Sequence, residues 1–505
     1  MRCVLCALTL LAGIEPVLAQ PAFVDDRAGL PSEHLYTGGW EHFVGGGVAV
    51  FDCNADERPD LFAAGGEATA SLFINASDPA GAIRFDQGDL DGLSVDLLTH
   101  VTGAYPLDID SDGVMDLAVL RVGENQLLRG LGDCRFELAN EAFALPTRDA
   151  WTASFAATWL EGDDLPLLAF GNYVDRYDAN GPFQTCDSSE VITQKGKIYG
   201  EIETISPGYC ALSMQISDWQ RKGTPELRVS NDRHYYVRGG YEQMFRLHPL
   251  KERADWPHIS LWGMGIASQD INGDGLPEVM TTSMGDQLLQ FNRGDRFENA
   301  PFSIGTYAQR PFIGDDGRPA TGWHAEFGDI DNDGRSDLFI AKGNVDQMPS
   351  NAINDPNNLL MQLPDGTFVE AANEAGVASL ARSRGAALAD LNADGLLDIV
   401  VVNRRVPLEI WRNVTENTGH WAGIEPTQAG INRNAVGAWV ELRTEAGTQS
   451  REVTVGGGHA GGQALPLHFG LGAAETAEAR VIWPDQTATD WQPVAVDALT
   501  QITRD

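Results

Sequence analysis

The stretch Asp329-Ile330-Asp331-Asn332-Asp333-Gly334-Arg335-Ser336-Asp337-Leu338 decides how the rest of the chain is read. Carboxylates stand at positions 1, 3, 5 and 9, a glycine at 6 and an apolar residue at 10. Side chains at 1, 3 and 5 gather around one point, and glycine at 6 lets the chain turn back sharply. The pattern returns complete at Asp108, Asp110, Asp112, Gly113 and Asp116, and again at Asp390, Asn392, Asp394, Gly395 and Asp398. A copy at Asp270, Asn272, Asp274 and Glu278 has a longer ninth residue. Another, at Asp52, Asn54, Asp56 and Asp60, has Glu57 where glycine is expected, so its turn should be strained.

Two wide gaps in the series hold decayed copies. One starts at Trp159 and has no ligand set. The other keeps Asp218, Gln220, Gly223 and Glu226 but has Lys222 at position 5, an ammonium expected to replace an ion by pairing with Asp218 or Glu226. The starts at 52, 108, 159, 218, 270, 329 and 390 are 51 to 61 residues apart. Units of that size are propeller blades or solenoid turns.

Each unit reads as β-structure. An apolar stretch such as 385–389 precedes the loop, and Leu117–Leu120, Leu338–Ile340 or Ile399–Val402 follows it. A third strand such as 358–362 then leads through Pro364-Asp365-Gly366 to a Phe-bearing fourth, 367–370, an Asp-Gly hairpin signal. The seventh unit lacks its fourth strand, whereas residues 22–26 near the N-terminus resemble one. The expected fold is all-β: a seven-bladed propeller whose N-terminal strand closes the last blade, followed by a small C-terminal β domain.

Hard oxygen ligands in a flexible loop suit Ca²⁺ better than Mg²⁺ or zinc. An EF-hand would need flanking helices and a bidentate Glu at position 12, where this chain has Val119, Ile340 or Val401 inside the next strand. The competing account is an Asp/Gly turn held by its own side-chain-to-backbone bonds. Four to five structural Ca²⁺ sites are expected, from the complete copies and the two near-complete ones.

The 72 acidic and 35 basic residues give a net charge of −37. That surface repels phosphate backbones and excludes nucleic acid as a partner. Beyond residue 20 no apolar run is long enough for membrane insertion. At the N-terminus, Arg2, the apolar run 4–14 and Val17-Leu18-Ala19 read as a signal peptide, so secretion or periplasmic export is expected. Cleavage would leave Cys53, Cys134, Cys186 and Cys210, which allow three pairings. Cys186 and Cys210 bracket a polar segment without blade pattern that reads as an insertion needing a tie. Cys53 and Cys134 then pair by elimination.

The acidic loops resemble the FG-GAP/VCBS repeats of integrin-α-like propellers. Residues 262–265, 283–287, 322–326, 341–344, 355–360 and 171–175 resemble the cartilage acidic protein group. Asn432-Arg433-Asn434, Gly437-Ala438, residues 468–472 and Val481 to Asp485 resemble an ASPIC/UnbV domain. The resemblance implies a secreted Ca²⁺-binding propeller with a small β domain, and no established reaction. Expected boundaries are a signal peptide at 1–19, the propeller at 20–415 and the C-terminal domain at 416–505.

No Walker, His-Glu-x-x-His or Gly-x-Ser-x-Gly sequence is present. Gly456–Gly462 lacks the Lys and helix of a phosphate loop and reads as structural. His459 and His468 could meet across a hairpin, again in a structural role. The expected function is a monomeric binding module for an extracellular protein or glycan. The alternative is a carbohydrate-active enzyme, to be recognised by a cleft with clustered aromatics and paired carboxylates away from the loops.

Overall fold

The computed structural model describes residues 19–179, 185–232, 239–307, 311, 318–345 and 348–505. The expected signal segment, except its last residue, lies outside them. After each acidic loop the chain enters a buried strand of β-branched and other apolar residues. An example is Asp398–Asn403, whose Ile399, Val400, Val401 and Val402 are fully buried. The strand before the loop is built of small residues, as in Ser383–Ala389, also fully buried.

Four-stranded antiparallel arrays follow one another along the chain. Array A is Val48–Phe51, Asp60–Ala63, Ser71–Asn75 and Phe85–Gln87. Array B is Val101–Leu107, Asp116–Gly123, Gln126–Gly130 and Phe136–Leu138. Array C is Ala150–Thr158, Leu167–Asn172, Ser189–Lys195 and Ile198–Ile205. Array D is Ala211–Ser217, Glu226–Asn231, Gln243–Leu247 and Leu250–Glu252. Array E is Gly263–Gln269, Glu278–Ser283, Leu288–Asn292 and Phe297–Asn299. Array F is Gly322–Gly328, Asp337–Lys342, Asn358–Gln362 and Phe368–Glu370.

Array G is Ser383–Ala389, Asp398–Asn403 and Glu409–Asn413, and its outer strand is Phe23–Asp25 from the N-terminus. Phe23 pairs with Asn413 and Asp25 with Trp411. The first strands of successive arrays pack side by side from A through G, and that of G packs against A. Sheets repeated around a closed ring are the architecture of a β-propeller. Apolar clusters fill the spaces between arrays, such as the one joining Phe339 and Leu359 to Leu388 and Ile399.

One expectation is corrected here. Residues 186–210 are not an insertion without blade pattern, because they hold the two outer strands of array C. Their outer strand, Ile198–Ile205, is mostly exposed and carries Glu201 and Glu203, so its text looks polar. The structure joins Cys186 to Cys210 and Cys53 to Cys134. The first bond ties the approach to array C's outer hairpin to the start of array D, and the second ties array A's loop to array B.

The C-terminal residues form two further sheets around Ile424, Val440, Phe469 and Trp483. Between them the chain leaves this domain. Residues 455–464 enter the centre of the ring, where Val455 O accepts from Ala157 N–H and Ala460 O from Ala104 N–H. Gly457 and Gly458 N–H donate to Met214 O and Ile266 O, and Gln463-Ala464 pair in parallel with Val50-Phe51. The glycines are required by close approach: a Cβ on Gly47 or Gly103 would stand 1.8 or 1.7 Å from Ala460 O.

Candidate metal centre

All five intact acidic loops make one backbone turn. The position-1 carboxylate caps it: Asp108, Asp329 and Asp390 Oδ2 accept from the position-6 glycine N–H at 2.9, 2.7 and 2.8 Å. Their Oδ1 atoms accept from the position-5 N–H at 3.0, 3.0 and 3.1 Å. Gly113, Gly334 and Gly395 have φ of 90°, 89° and 85°, a left-handed conformation natural to glycine. Glu57 takes the same turn at φ 64°, without that freedom. Position 4 is left-handed too, at Ser111, Asn332 and Ala393 (58°, 56° and 55°), a requirement the spacing of acids did not disclose.

The ninth residue serves the backbone. Asp398 accepts from Leu391 and Asn413 N–H, each at 2.8 Å. Asp337 accepts from Ile330 and Gln362 at 2.9 and 2.8 Å, and Asp116 from Ile109 and Gly130, both at 2.8 Å. Asp60 does the same with Cys53 and Asn75, and the longer Glu278 reaches Ile271 and Asn292 at 3.1 and 3.4 Å. Position 9 is therefore a clamp between the loop and the array's third strand. Each oxygen keeps a second lone pair for an ion.

Position 3 differs. Asp110 Oδ1, Asp331 Oδ1 and Asn392 Oδ1 are buried and have no hydrogen-bond partner. A buried unpaired acceptor is costly unless something outside the protein's own hydrogen bonds meets it. In array F's loop, oxygens of Asp329, Asp331 and Asp333 lie within 4.8 Å of one another, and in array B's loop those of Asp108, Asp110 and Asp116 do so. These clusters can hold a metal ion, and their all-oxygen donor sets fit Ca²⁺. A third cluster, Cys53, Asp60 and Cys134, offers no thiolate because its sulfurs are bonded to each other.

Burial pushes these carboxylates toward their neutral form, and neighbouring carboxylates add to the push. Asp116 and Glu278 rise to about 8, Asp60 to about 7, and Asp108, Asp270 and Asp390 to about 6. Asp337 and Asp398 rise well above the usual carboxylate range for the same reason. A divalent cation would reverse that balance by favouring the charged form. Part of the charge is met by the chain itself: Arg129 Nη2 lies 2.7 Å from Asp110 and 3.2 Å from Asp112, and Arg335 pairs with Asp333.

The decayed loop of array D departs from its expected pairing. Lys222 Nζ donates to Gln220 Oε1 at 3.1 Å and forms neither proposed ion pair. Glu226 is held by Arg253 at 2.9 Å, while Asp218 Oδ2 caps Gly223 at 2.6 Å. The ammonium reaches only its neighbour because the arginine from the fourth-strand side has already met the carboxylate. Arg253 also binds Asp255 at 2.6 Å, on the rim of a small cavity of about 60 Å³ lined by Trp219, Trp256 and Phe297. Aromatics and carboxylates do meet there, but both acids are tied to one guanidinium.

His459 and His468 do not meet. His459 lies in the ring centre, 4.9 Å from the Trp323 ring, where its Nε2 accepts from Gly45 N–H and its own N–H donates to His324 Nδ1. His468 stacks on Trp421 and bonds Gly395 O at 3.1 Å.

Two successive spans, 270–340 and 329–401, match the FG-GAP-like repeat, and residues 428–505 match the ASPIC and UnbV domain. The chain carries FG-GAP-like repeats and a C-terminal ASPIC/UnbV domain. None of the curated proteins matches it. Among solved structures it is similar to BBS1N in complex with ARL6DN, at 10% identity over 78% of this chain and 97% of that one, TM-score 0.45. It is also similar to an Agrocybe aegerita lectin recognising non-reducing terminal N-acetylglucosamine, at 14% identity over 76% and 82%, TM-score 0.31. The Dos1 propeller matches at 11% identity over 77% and 96%, TM-score 0.35. The ASPIC/UnbV domain sits on the face that carries the FG-GAP-like loops. Asn432 N–H donates to Ser111 Oγ, Gly419 N–H to Asp331 O, and Gly472 N–H to Asn332 O.

Proposed function

We propose that the chain is an exported binding module for an extracellular protein or glycan, built on a Ca²⁺-stiffened propeller in which arrays A–G are seven blades. Residues 20–415 form the propeller and 416–505 the C-terminal domain. The observation that carries this reading is the unpartnered, buried position-3 oxygen in each of the three complete loops. A recurrent unpaired acceptor of one chemistry is what a recurrent ion would meet. The two disulfides support export.

The acidic-loop face is covered and the centre of the ring is filled, so the opposite face is the one offered to a ligand. Trp40, Tyr177 and Trp262 are exposed there, at the ends where first strands begin and second strands finish. Aromatic rings of this kind stack on sugars or anchor a protein partner. Isothermal titration of the full chain with CaCl₂ tests the ion reading, with roughly four to five ions expected. Glycan-array binding, with Trp40→Ala and Tyr177→Ala as controls, tests the ligand face. No ion uptake refutes the first reading, and binding indifferent to both substitutions refutes the second.

A further inference from the structure

Each of the three complete loops is touched by the C-terminal domain, and so is array D's decayed loop, there through side chains: Arg221 pairs with Glu441 at 2.7 Å and Glu452 accepts from Asp218 N–H at 3.0 Å. At array F's loop, Gly419 and Gly472 donate to the carbonyls of positions 3 and 4, and Gly470 lies so close that a Cβ there would stand 1.9 Å from Asp329 Oδ2. At array G's loop, His468 bonds the position-6 carbonyl. At array B's loop, Asn432 donates to Ser111, the residue at position 4. Most of these contacts are to loop backbone, whose course an ion at positions 1, 3 and 5 would set. Within array F's loop, Asp331 is 2% exposed, belongs to the carboxylate cluster, and its buried Oδ1 has no hydrogen-bond partner.

Docking carries a second element with it. The segment 455–464 hangs from the same domain and fills the ring's centre through backbone bonds to arrays A to E. We infer that Ca²⁺ in the loops of arrays B, F and G governs the docking of the C-terminal domain, and thereby holds residues 455–464 as a plug in the ring. This rests on the Ca²⁺ reading above and adds a regulation to those sites. With the ions removed, Asp331 Oδ1 is left unmet and Asp333 keeps only Arg335, so the platform under Gly470 and Gly472 loosens. The domain then swings away and the channel opens from the acidic face.

Hydrogen exchange read by mass spectrometry on the full chain tests this, in CaCl₂ and in EGTA, well below the melting midpoint. Amides of 455–464 should exchange on the order of tenfold faster in EGTA. Those of Leu117–Leu120 in array B should keep their protection. Asp331→Asn, which preserves shape and removes a charge, should raise the Ca²⁺ concentration that restores plug protection about tenfold. Gly470→Ala should leave the plug exchanging fast even in CaCl₂. If titration on the same sample shows Ca²⁺ uptake while plug exchange stays unchanged, the coupling is refuted and the Ca²⁺ reading survives. If no Ca²⁺ is taken up, both fall. Equal loss of protection in the plug and in Leu117–Leu120 also overturns the inference, because the ion would then support the whole ring rather than the docking.

Discussion

The loops of arrays D and F make the same turn with opposite electrostatics. In array F, Asp329 caps Gly334, Asp337 clamps two backbone N–H groups, and Asp331 keeps a buried oxygen unmet. In array D, Asp218 still caps Gly223, but the ninth residue, Glu226, is bound by Arg253 instead of the backbone. The glycine turn therefore survives without the ligand set. The cap is a property of position 1 and position 6. The proposed ion site would be an addition made by positions 3, 5 and 9, whereas in array D an arginine meets the ninth residue.

The broadest way to break this comparison is to remove the ion. Linkage gives about 1.4 kcal/mol per site at ten times its Kd, so three complete loops together should contribute about 4 kcal/mol. Melting in CaCl₂ and in EGTA should differ by several degrees, and equal midpoints would show that array F's loop stands as unaided as array D's.

Next in size is the clamp. Asp398→Ala leaves two buried N–H groups without acceptors and should cost about 3 kcal/mol in urea unfolding. Glu226→Ala, at the same motif position, breaks a largely buried ion pair, but Arg253 keeps Asp255, so it should cost about 1 to 2 kcal/mol. Similar losses would mean that position 9 acts alike in both loops.

The pH dependence follows from the raised carboxylates. A group held neutral when folded binds more protons in the native state than unfolded, so its stability contribution is lost as pH rises through its folded value. Asp60, at about 7, and Asp116 and Glu278, at about 8, titrate in the folded chain between pH 6.5 and 8.5. In EGTA the stability should fall from the unfolded carboxylate range near pH 4 up to about pH 8, by about 1.4 kcal/mol per pH unit for each group protonated only when folded, and level off above it. Buried His459 and His468 are pushed down, to about 3 and about 4, so they weaken the fold only as pH drops below about 6.5. CaCl₂ should flatten the curve, and a midpoint that rises with pH in EGTA would refute the assignment.

Two small effects sharpen the picture. Glu57→Gly releases a left-handed non-glycine residue and should stabilise by up to about 1 kcal/mol. Lys222→Asp should change stability by less than about 0.5 kcal/mol and leave the ion count unaltered, because Arg253 still holds Glu226. An additional ion bound by that variant would show that the arginine yields.

The repeat and its residue types were legible because each unit spells out its own local needs: an acid to cap, a glycine to turn, an apolar strand to follow. The outer strand supplied by Phe23–Asp25 was legible because it resembles 367–370. The clamp at position 9 was not legible beside its expected role as a ligand, since sequence gives a carboxylate's spacing but not the N–H groups of Gln362 or Asn413 that meet it. Array C's outer hairpin was missed because an edge strand facing water needs few apolar residues. The plug was out of reach. Gly456–Gly462 shows only a composition, and its meaning lies in carbonyls of Met214 and Ile266 some two hundred residues earlier.

The strand that completes array G has a consequence for how the molecule is made. Phe23–Asp25 emerges close to four hundred residues before its partner, Trp411–Asn413. Until then the ring stays open, with one array short of a strand and its edge bare. A bare edge is a template for any matching strand, and another copy of the same chain carries the matching one. At high concentration, one molecule's first strand can complete its neighbour's ring, and strand exchange of this kind would link copies into dimers or chains through a contact each was built to make with itself.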